Sequence, residues 1–223
     1  MSKSKTTSES AKAGIPDALD LNEIKKWVQG RVSERRYQHI KGVVKAGKLL
    51  CYHHNVENLA VVLACWLHDS CKEIKASELY KLAIEKGLDV SEFDESNAHI
   101  LHGPVGAAVV REKFGIESHD VLSAIAEHTL GNTEMTTVSK LVYLADALEE
   151  SRPDSVKVPI LNALIEGADL KNKKEKLNLN LDRAIYVASD LVLTNLIEKG
   201  KPIHPKTVRV RNHFLELSGK SAS

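Results

Sequence analysis

Residues 59–72 read LAVVLACWLHDSCK, and this stretch decides the fold. The run from Leu59 to Leu67 is apolar nearly all round, which predicts a helix buried at the centre of the protein. It is followed by two adjacent polar residues, His68 and Asp69, which cannot both share one apolar stripe. A buried polar side chain without a partner costs about 2–7 kcal/mol. A metal ion would partner both side chains, so further ligands are expected elsewhere in the chain.

The composition is that of an ordinary globular protein. Of the 223 residues, 43% are hydrophobic and 27% are charged, which is enough for one sizeable core. Lys and Arg number 31 against 30 Asp and Glu, so the charge balance does not favour a nucleic-acid or membrane-surface partner. Three irregularly spaced cysteines argue against a disulfide framework and favour reduced thiols in the cytoplasm. No apolar run reaches the length of about 18 residues that predicts a transmembrane helix.

Helical periodicity runs through nearly the whole chain, and no convincing strand alternation interrupts it. We therefore predict an all-α fold with a single domain over 19–218, a disordered N-terminal tail over 1–18 and a C-terminal tail over 219–223. Residues 88–100 are predicted to form a loop, and residues 170–180 a connector. Three of the predicted helices have both ends assigned, at 21–32, 77–86 and 181–199. Three others are predicted from a capping residue: one begins after Ser33, one begins after Asn55 and runs to Leu67, and one begins after Ser118. Two more are predicted to run from Pro104 to near Gly115 and to begin at Thr136 or Thr137.

Six histidines and aspartates lie on or beside the apolar stripes of five segments. A lone histidine in such a place is more often a satisfied, half-buried residue than a ligand. The set as a whole differs, because imidazole nitrogens and carboxylate oxygens together suit iron, manganese, zinc or cobalt. Six ligands exceed the four of a tetrahedral zinc site, so we predict a two-metal site. The predicted metal ligands are His39, His68, Asp69, His102, His128 and Asp146.

Five stretches carry a resemblance to a known family: ERRYQHIKGV at 34–43, WLHDSCKE at 66–73, LHGPVGAAVV at 101–110, AIAEHTLGNTEMT at 124–136 and KLVYLADALEESR at 140–152. Together they resemble the HD-domain metal-dependent phosphohydrolases, and more narrowly the YqeK-type branch, which is similar to the symmetrical bis(nucleosyl)-tetraphosphatases. The resemblance implies an HD-domain helical bundle whose di-metal site holds iron, with manganese or cobalt as alternatives. It also implies a small-molecule dinucleoside polyphosphate as the substrate; a homodimer is a possible assembly.

The resemblance further implies roles for individual side chains. The implied catalytic residues are Asp69, Lys72 and Arg152, and the implied substrate-binding residues are Arg36, Lys72, Thr129, Gly131 and Arg152. Two residues depart from the usual family pattern: Cys71 replaces a small residue, and Glu150 stands where proline is common. His99, three residues before His102, could also reach the metal site, although a role outside it is the more ordinary interpretation.

The predicted chemistry follows from charge. A polyphosphate resists attack because its oxygens are negative, and two cations about 3.5–4 Å apart would polarise those oxygens and lower the pKa of water. Lys72 would add a compact positive charge, and Arg152 could bind a phosphate through two hydrogen bonds. We expect symmetrical hydrolysis of diadenosine tetraphosphate to two ADP molecules. Two alternatives remain open: an HD phosphohydrolase of a nucleoside monophosphate or a guanosine alarmone, and a non-catalytic nucleotide- or RNA-binding module.

Overall fold

The computed structural model describes residues 13–168 and 177–220. Within these ranges all regular secondary structure is helical, which confirms the predicted all-α class. The helices of these ranges are α1 (Leu21–Gln29), α2 (Glu34–His54), α3 (Leu59–Leu67), α4 (Ala76–Glu85), α5 (Glu92–Ser96), a 3-10 turn (Ala98–Leu101), α6 (His102–Phe114), α7 (His119–Glu127), α8 (Thr137–Leu148), α9 (Asp154–Leu164), α10 (Leu181–Glu198) and α11 (Pro205–Lys220).

Helix α3 lies at the centre of the bundle, as its sequence predicts. Eight of its nine residues, Ala60 to Leu67, are buried, and α3 packs against α1, α2, α7 and α8. Burial of each large apolar side chain in this core contributes about 1.5–3 kcal/mol. Because α3 is covered on all sides, the two residues that follow it, His68 and Asp69, lie inside the protein.

Side-chain caps begin several of the helices. The Ser33 hydroxyl accepts a hydrogen bond from the Arg36 N–H, so this predicted cap is present, and Thr136 accepts one from the Ser139 N–H at the predicted start of α8. Ser118 stands directly before α7 as predicted, but its side chain makes no capping hydrogen bond. The prediction for Asn55 is wrong, because this residue ends α2 in a left-handed conformation at φ 57° and does not cap α3. Asparagine adopts this conformation more readily than most side chains, which explains the difference.

Helical segments also lie where none was predicted. Residues 88–100, predicted to form a loop, contain α5 and the 3-10 turn. Reciprocal hydrogen bonds between Ser91 and Asp94 begin α5, and a helix this short leaves little periodicity in the sequence. Helices α9 and α11 had no counterpart among the predicted helices. Helix α9 contains Pro159, a residue type that usually indicates a break in a helix.

The described chain begins inside the predicted N-terminal tail. The Gly14 carbonyl accepts a hydrogen bond from the Glu117 N–H at 2.6 Å, and Ile15 packs against the core. Gly14 and Ile15, which belong to the predicted tail, therefore contact the helical domain in this structure.

The C-terminal helix runs slightly past the predicted domain boundary, since residues 219 and 220 are the last two of α11. Residues 1–12 and 221–223 of the predicted tails, and residues 170–176 of the predicted connector together with residue 169, lie outside the described residues. Among the helices that are described, none combines the length and the apolar character needed to cross a membrane.

Candidate metal centre

All six predicted metal ligands converge inside the bundle. Helix ends supply four of them, and helix interiors supply two. His39 lies in α2, His68 and Asp69 follow α3, His102 begins α6, His128 follows α7, and Asp146 lies in α8. Because α3 packs against α2, α7 and α8, the residues at its end meet ligands from all three neighbours.

The HGPVG stretch brings the start of α6 against the end of α7. A Cβ atom on Gly103 would lie 2.9 Å from the Ala126 carbonyl oxygen, so glycine is required for this close approach. Helix α6 begins at His102, two residues before Pro104 and therefore earlier than predicted. The approach places the Nε2 atoms of His102 and His128 only 3.0 Å apart.

The Asp69 carboxylate lies between two groups of imidazoles. Its Oδ1 atom is 3.3 Å from His102 Nε2 and 3.4 Å from His128 Nε2. Its Oδ2 atom is 3.5 Å from His68 Nε2 and 3.6 Å from His39 Nε2. One carboxylate thus faces imidazole nitrogens on both sides.

Asp146 completes the group on the Oδ2 side of Asp69. Its Oδ1 atom lies 3.1 Å from His39 Nε2, and donor atoms of His39, His68 and Asp146 all lie within 4.8 Å of one another. Donor atoms of His68, Asp69 and His128 form a second group within the same limit. Both groups have the mixed nitrogen and oxygen chemistry of first-row transition-metal sites.

Three of the four imidazoles are oriented in the same way. Each donates its Nδ1–H to the backbone carbonyl three residues earlier, which leaves Nε2 facing the centre. The pairs are His68 with Cys65 at 2.8 Å, His102 with His99 at 2.7 Å, and His128 with Ile125 at 2.8 Å. The carbonyls of Cys65 and Ile125 lie in the last turn of a helix, where carbonyls have no partner within the helix.

The orientation of His39 depends on a residue that the sequence analysis missed. Its Nδ1 atom pairs at 3.1 Å with the carboxylate of Glu149, which is buried just beyond α8. Glu149 also accepts hydrogen bonds from the N–H and the hydroxyl of Ser151. The available signal was an acidic pair at the end of the α8 stripe, but exposed acidic pairs give the same pattern.

Burial and charge together set the protonation states at the centre. Burial would raise the pKa of Asp69, but the neighbouring imidazoles of His68, His102 and His128 together hold it well below its usual range. Burial lowers the pKa of His102 to about 4, so this imidazole is neutral at pH 7. At His68 burial is the strongest single influence and would lower the pKa, but the charges of Asp69 and Asp146, together with the hydrogen bonds of the ring, raise it.

Among the six candidate ligands, His39 and His68 each have a buried Nε2 atom without a hydrogen-bond partner in the described part of the chain. Asp146 lies close to the first of them, but without the alignment of a hydrogen bond. A buried polar atom left unsatisfied costs about 1–3 kcal/mol. A metal ion would satisfy both nitrogens, so the residues present fit a metal centre.

Each of the three predicted phosphate-binding cations contacts one of these ligands. Arg36 Nη1 lies 2.8 Å from Asp69 Oδ2, Lys72 Nζ lies 3.1 Å from His102 Nε2, and Arg152 Nη2 lies 2.7 Å from Asp146 Oδ1. The departure at Glu150 does not displace Arg152, because the Glu150 side chain points outward and pairs with Lys45 at the surface. The three positive charges therefore surround the centre at close range.

The two other predicted substrate-binding residues are placed differently. Thr129 Oγ1 lies 3.1 Å from the Nε2 atoms of both His102 and His128, so this hydroxyl belongs to the centre. Gly131 forms a turn at φ 71°, and a Cβ atom there would lie 2.9 Å from a Val210 methyl group on α11. Gly131 therefore allows this turn to pack closely against α11.

His99 and Cys71 do not place their side chains among the ligands. The His99 side chain is exposed, while its carbonyl orients His102. Cys71 is fully buried in a small second core cluster, and its Sγ atom lies 3.9 Å from Arg31 Nη2. The substitution at Cys71 is therefore accommodated by packing.

A cavity of about 520 Å³ opens beside His39. Its lining consists of Arg35, Arg36, Gln38, His39, Glu149, Glu150, Ser151 and Arg152. The volume lies within the usual range for small-molecule sites, roughly 300–1,000 Å³. Two predicted phosphate-binding residues, Arg36 and Arg152, thus face the same space as the candidate metal ligand His39.

Comparison with known proteins agrees with this geometry. The HD-domain family profile matches residues 36–151. The symmetrical bis(5'-nucleosyl)-tetraphosphatase of Halalkalibacterium halodurans is 32% identical over 188 residues, which are 84% of this chain and 93% of that protein. The protein of the same name from Staphylococcus aureus is 29% identical over 198 residues, covering 88% of this chain and 95% of the relative.

A solved structure shares the fold. It is a predicted HD superfamily hydrolase from Clostridium acetobutylicum, with a TM-score of 0.78 and 24% identity, and the match covers 89% of this chain and 98% of that one. The family profile spans the segments that carry all six candidate ligands, from the start of α2 to the end of α8. The chain therefore belongs to the HD-domain family, and it is an enzyme of the branch that contains the symmetrical bis(5'-nucleosyl)-tetraphosphatases.

Proposed function

We propose that this enzyme hydrolyses diadenosine tetraphosphate at its central phosphoanhydride bond and releases two ADP molecules. The observation that carries the proposal is the Asp69 carboxylate, which faces two groups of imidazoles while three cationic side chains contact the surrounding ligands. Such a centre suits phosphoryl chemistry, and the names of the relatives supply the substrate. The choice of the inner phosphate over an outer one rests on the resemblance to the symmetrical enzymes.

We propose that the centre would hold two iron ions. His39, His68, Asp69 and Asp146 would hold the first ion, and Asp69, His102 and His128 the second. Ions of this kind polarise phosphoryl oxygens and lower the pKa of water when they are bound. The choice of iron rests on the family resemblance, since the same donor set also accepts manganese or cobalt.

The protein's own contribution is to bind and orient the tetraphosphate. Arg36 and Arg152 face the cavity beside His39, so they are proposed to bind the phosphates of one half of the substrate. Lys72 and Thr129 lie on the opposite side, next to His102, and are proposed to contact the other half. Charge on both sides would offset the negative charge that develops on the leaving ADP.

The test is product analysis of the purified enzyme with diadenosine tetraphosphate. We expect ADP as the sole nucleotide product, and a reaction in oxygen-18 water should label only one ADP of each pair. A chelator should stop the reaction. Equal amounts of ATP and AMP would show asymmetric cleavage and overturn the proposed bond, whereas turnover of a nucleoside monophosphate or a guanosine alarmone in its place would overturn the substrate.

We also propose that the enzyme works in the cytoplasm. The structure has three free cysteines, Cys51, Cys65 and Cys71, all of them buried. A reducing compartment keeps such thiols unpaired. Fractionation of the source cells, with the enzyme detected by antibody, would test this location.

A further inference from the structure

The four imidazoles at the centre are not oriented by the same means. His68 and His128 directly follow a helix, so a free carbonyl of the preceding turn accepts their Nδ1–H. His39 is the sixth residue of the 21-residue helix α2. Inside a helix the backbone carbonyls accept hydrogen bonds from N–H groups four residues later. His39 therefore needs a partner from outside its own helix.

Glu149, which directly follows α8, supplies that partner. It lies 110 positions later in the chain, and its Oε1 atom is 3.1 Å from His39 Nδ1. Only 2% of Glu149 is exposed, and its carboxylate is held by the N–H and the hydroxyl of Ser151. Arg152 Nε lies 3.7 Å away and adds positive charge beside it. This carboxylate is thus fixed in place on several sides.

Gly42 provides the room for the Glu149 side chain. A Cβ atom on Gly42 would lie 2.9 Å from Glu149 Oε2 and 3.5 Å from its Cβ atom. A glycine inside a helix costs roughly 0.5–1 kcal/mol relative to alanine, so its use at this position needs a reason. The close approach of the carboxylate is such a reason. Gly42 lies one turn after His39 on the same helix, so α2 presents the imidazole and the space for its partner together.

We infer that Glu149 is the positioning residue that sets the tautomer and ring orientation of His39, with Gly42 as its matched small residue. A carboxylate on Nδ1–H makes the Nε2 lone pair a better metal ligand and holds it toward the centre. The inference rests on the proposed metal centre. It concerns only how one ligand is held, and so it can fail while that centre stands.

The first experiment measures metal affinity, independent of hydrolysis. Apoprotein prepared with a chelator is titrated with Mn²⁺ in a calorimeter. We expect Glu149→Ala to weaken one of the two binding steps by about 10–100-fold, the usual effect of removing the partner of a metal-bound histidine. Glu149→Gln should recover part of this loss, because its amide oxygen can still accept from Nδ1–H. Glu198→Ala, at an exposed position that ends α10, should bind as the wild type does.

The second experiment asks whether Glu149 acts through His39. In a His39→Ala background the further change Glu149→Ala should have no added effect on Mn²⁺ affinity, because the side chain it orients is already gone. Gly42→Ala should reproduce the loss seen in Glu149→Ala without touching any ligand, and the two changes together should cost no more than either alone. Circular dichroism of each apoprotein shows whether the helices are retained.

Wild-type affinity in folded Glu149→Ala would overturn the inference. An additive loss in the His39→Ala background would overturn it as well, because it would mean that Glu149 acts independently of this imidazole. Failure of the metal centre itself would look different, since the wild-type protein would then bind no Mn²⁺ at all.

Discussion

At the scale of single residues, Asp69 connects the two halves of the candidate centre. Its Oδ1 faces His102 and His128, and its Oδ2 faces His39 and His68. Asp69→Ala should therefore lower the metal content and abolish hydrolysis. It should leave the helical circular-dichroism signal largely intact, because the apolar core does not depend on this side chain. Elemental analysis and a hydrolysis assay on the same preparation measure both effects.

The matched control for Asp69 is Asp89→Ala, at an exposed aspartate between α4 and α5. This variant should keep both the metal and the activity. Full hydrolysis by folded Asp69→Ala would contradict the role assigned to the carboxylate.

The flanking cations should affect turnover more than metal content. Lys72→Ala and Arg152→Ala each remove a positive charge near the centre but no predicted ligand. Turnover should fall by about 10²–10³-fold if the lost charge stabilises the transition state, with the metal retained. Lys45→Ala, a surface lysine with 75% of its side chain exposed, is the control. If Arg152→Ala keeps full turnover, Arg36 becomes the stronger candidate for the phosphates on that side.

At the scale of the helices, the site depends on the close packing of α2 against α3. A Cβ atom on Gly47 would lie 2.8 Å from Cys65 Sγ and 3.2 Å from a Val61 methyl group. Alanine is otherwise favoured in a helix by roughly 0.5–1 kcal/mol, so the clash and the propensity oppose each other. Overpacking of a core costs about 1–3 kcal/mol, so we expect Gly47→Ala to lower the free energy of unfolding.

A substitution of Cys65 tests whether the loss of stability in Gly47→Ala comes from this clash. Cys65→Ala removes the nearest clashing atom, so the double variant should be less destabilised than the sum of the two single variants, as urea denaturation would measure. The comparison matters for the site because α2 carries His39 and α3 ends at His68. Strictly additive effects, or a Gly47→Ala variant more stable than the wild type, would show that the two helices can separate without cost.

Capping residues in the sequence predicted some helix boundaries and not others. The cap at Ser33 could be predicted, because a hydroxyl and an N–H three residues apart interact within one turn. The role of Asn55 could not, because the same residue type caps a helix start and ends a helix in the left-handed conformation. Helix α5 was missed because five residues are too few to show a period of 3.6.

At the scale of the whole molecule, the candidate ligands tie five segments of the chain together. A ligand that binds only the folded state stabilises it by RT ln(1 + [L]/Kd), about 2.7 kcal/mol at a hundred times Kd. Removal of the metal with a chelator should therefore lower the Tm while the helical signal is retained at low temperature. The Tm of Asp69→Ala should respond little to the chelator, and an unchanged wild-type Tm would argue against the six-ligand centre.

The sequence by itself determined the helical class, the central position of α3 and the chain's HD-domain family. These properties depend on residue type and on spacing within a few helical turns. The apolar run of α3 and the HD-type motifs are both local in the sequence, so they can be recognised without the fold. The predicted ligand list also came from the sequence, and its confirmation as a ligand set waits for the metal measurements above.

Only the tertiary structure decided how those residues meet. It brought the Glu149 carboxylate next to Nδ1 of His39, 110 positions away in the chain. It also turned the two oxygens of Asp69 toward two different groups of imidazoles and packed Gly131 against α11. The physical reason is that a contact between distant segments depends on how helices pack in three dimensions. The sequence around Glu149 reads the same whether the carboxylate points into the core or into water, and the packing of α2 against α8 selects the core.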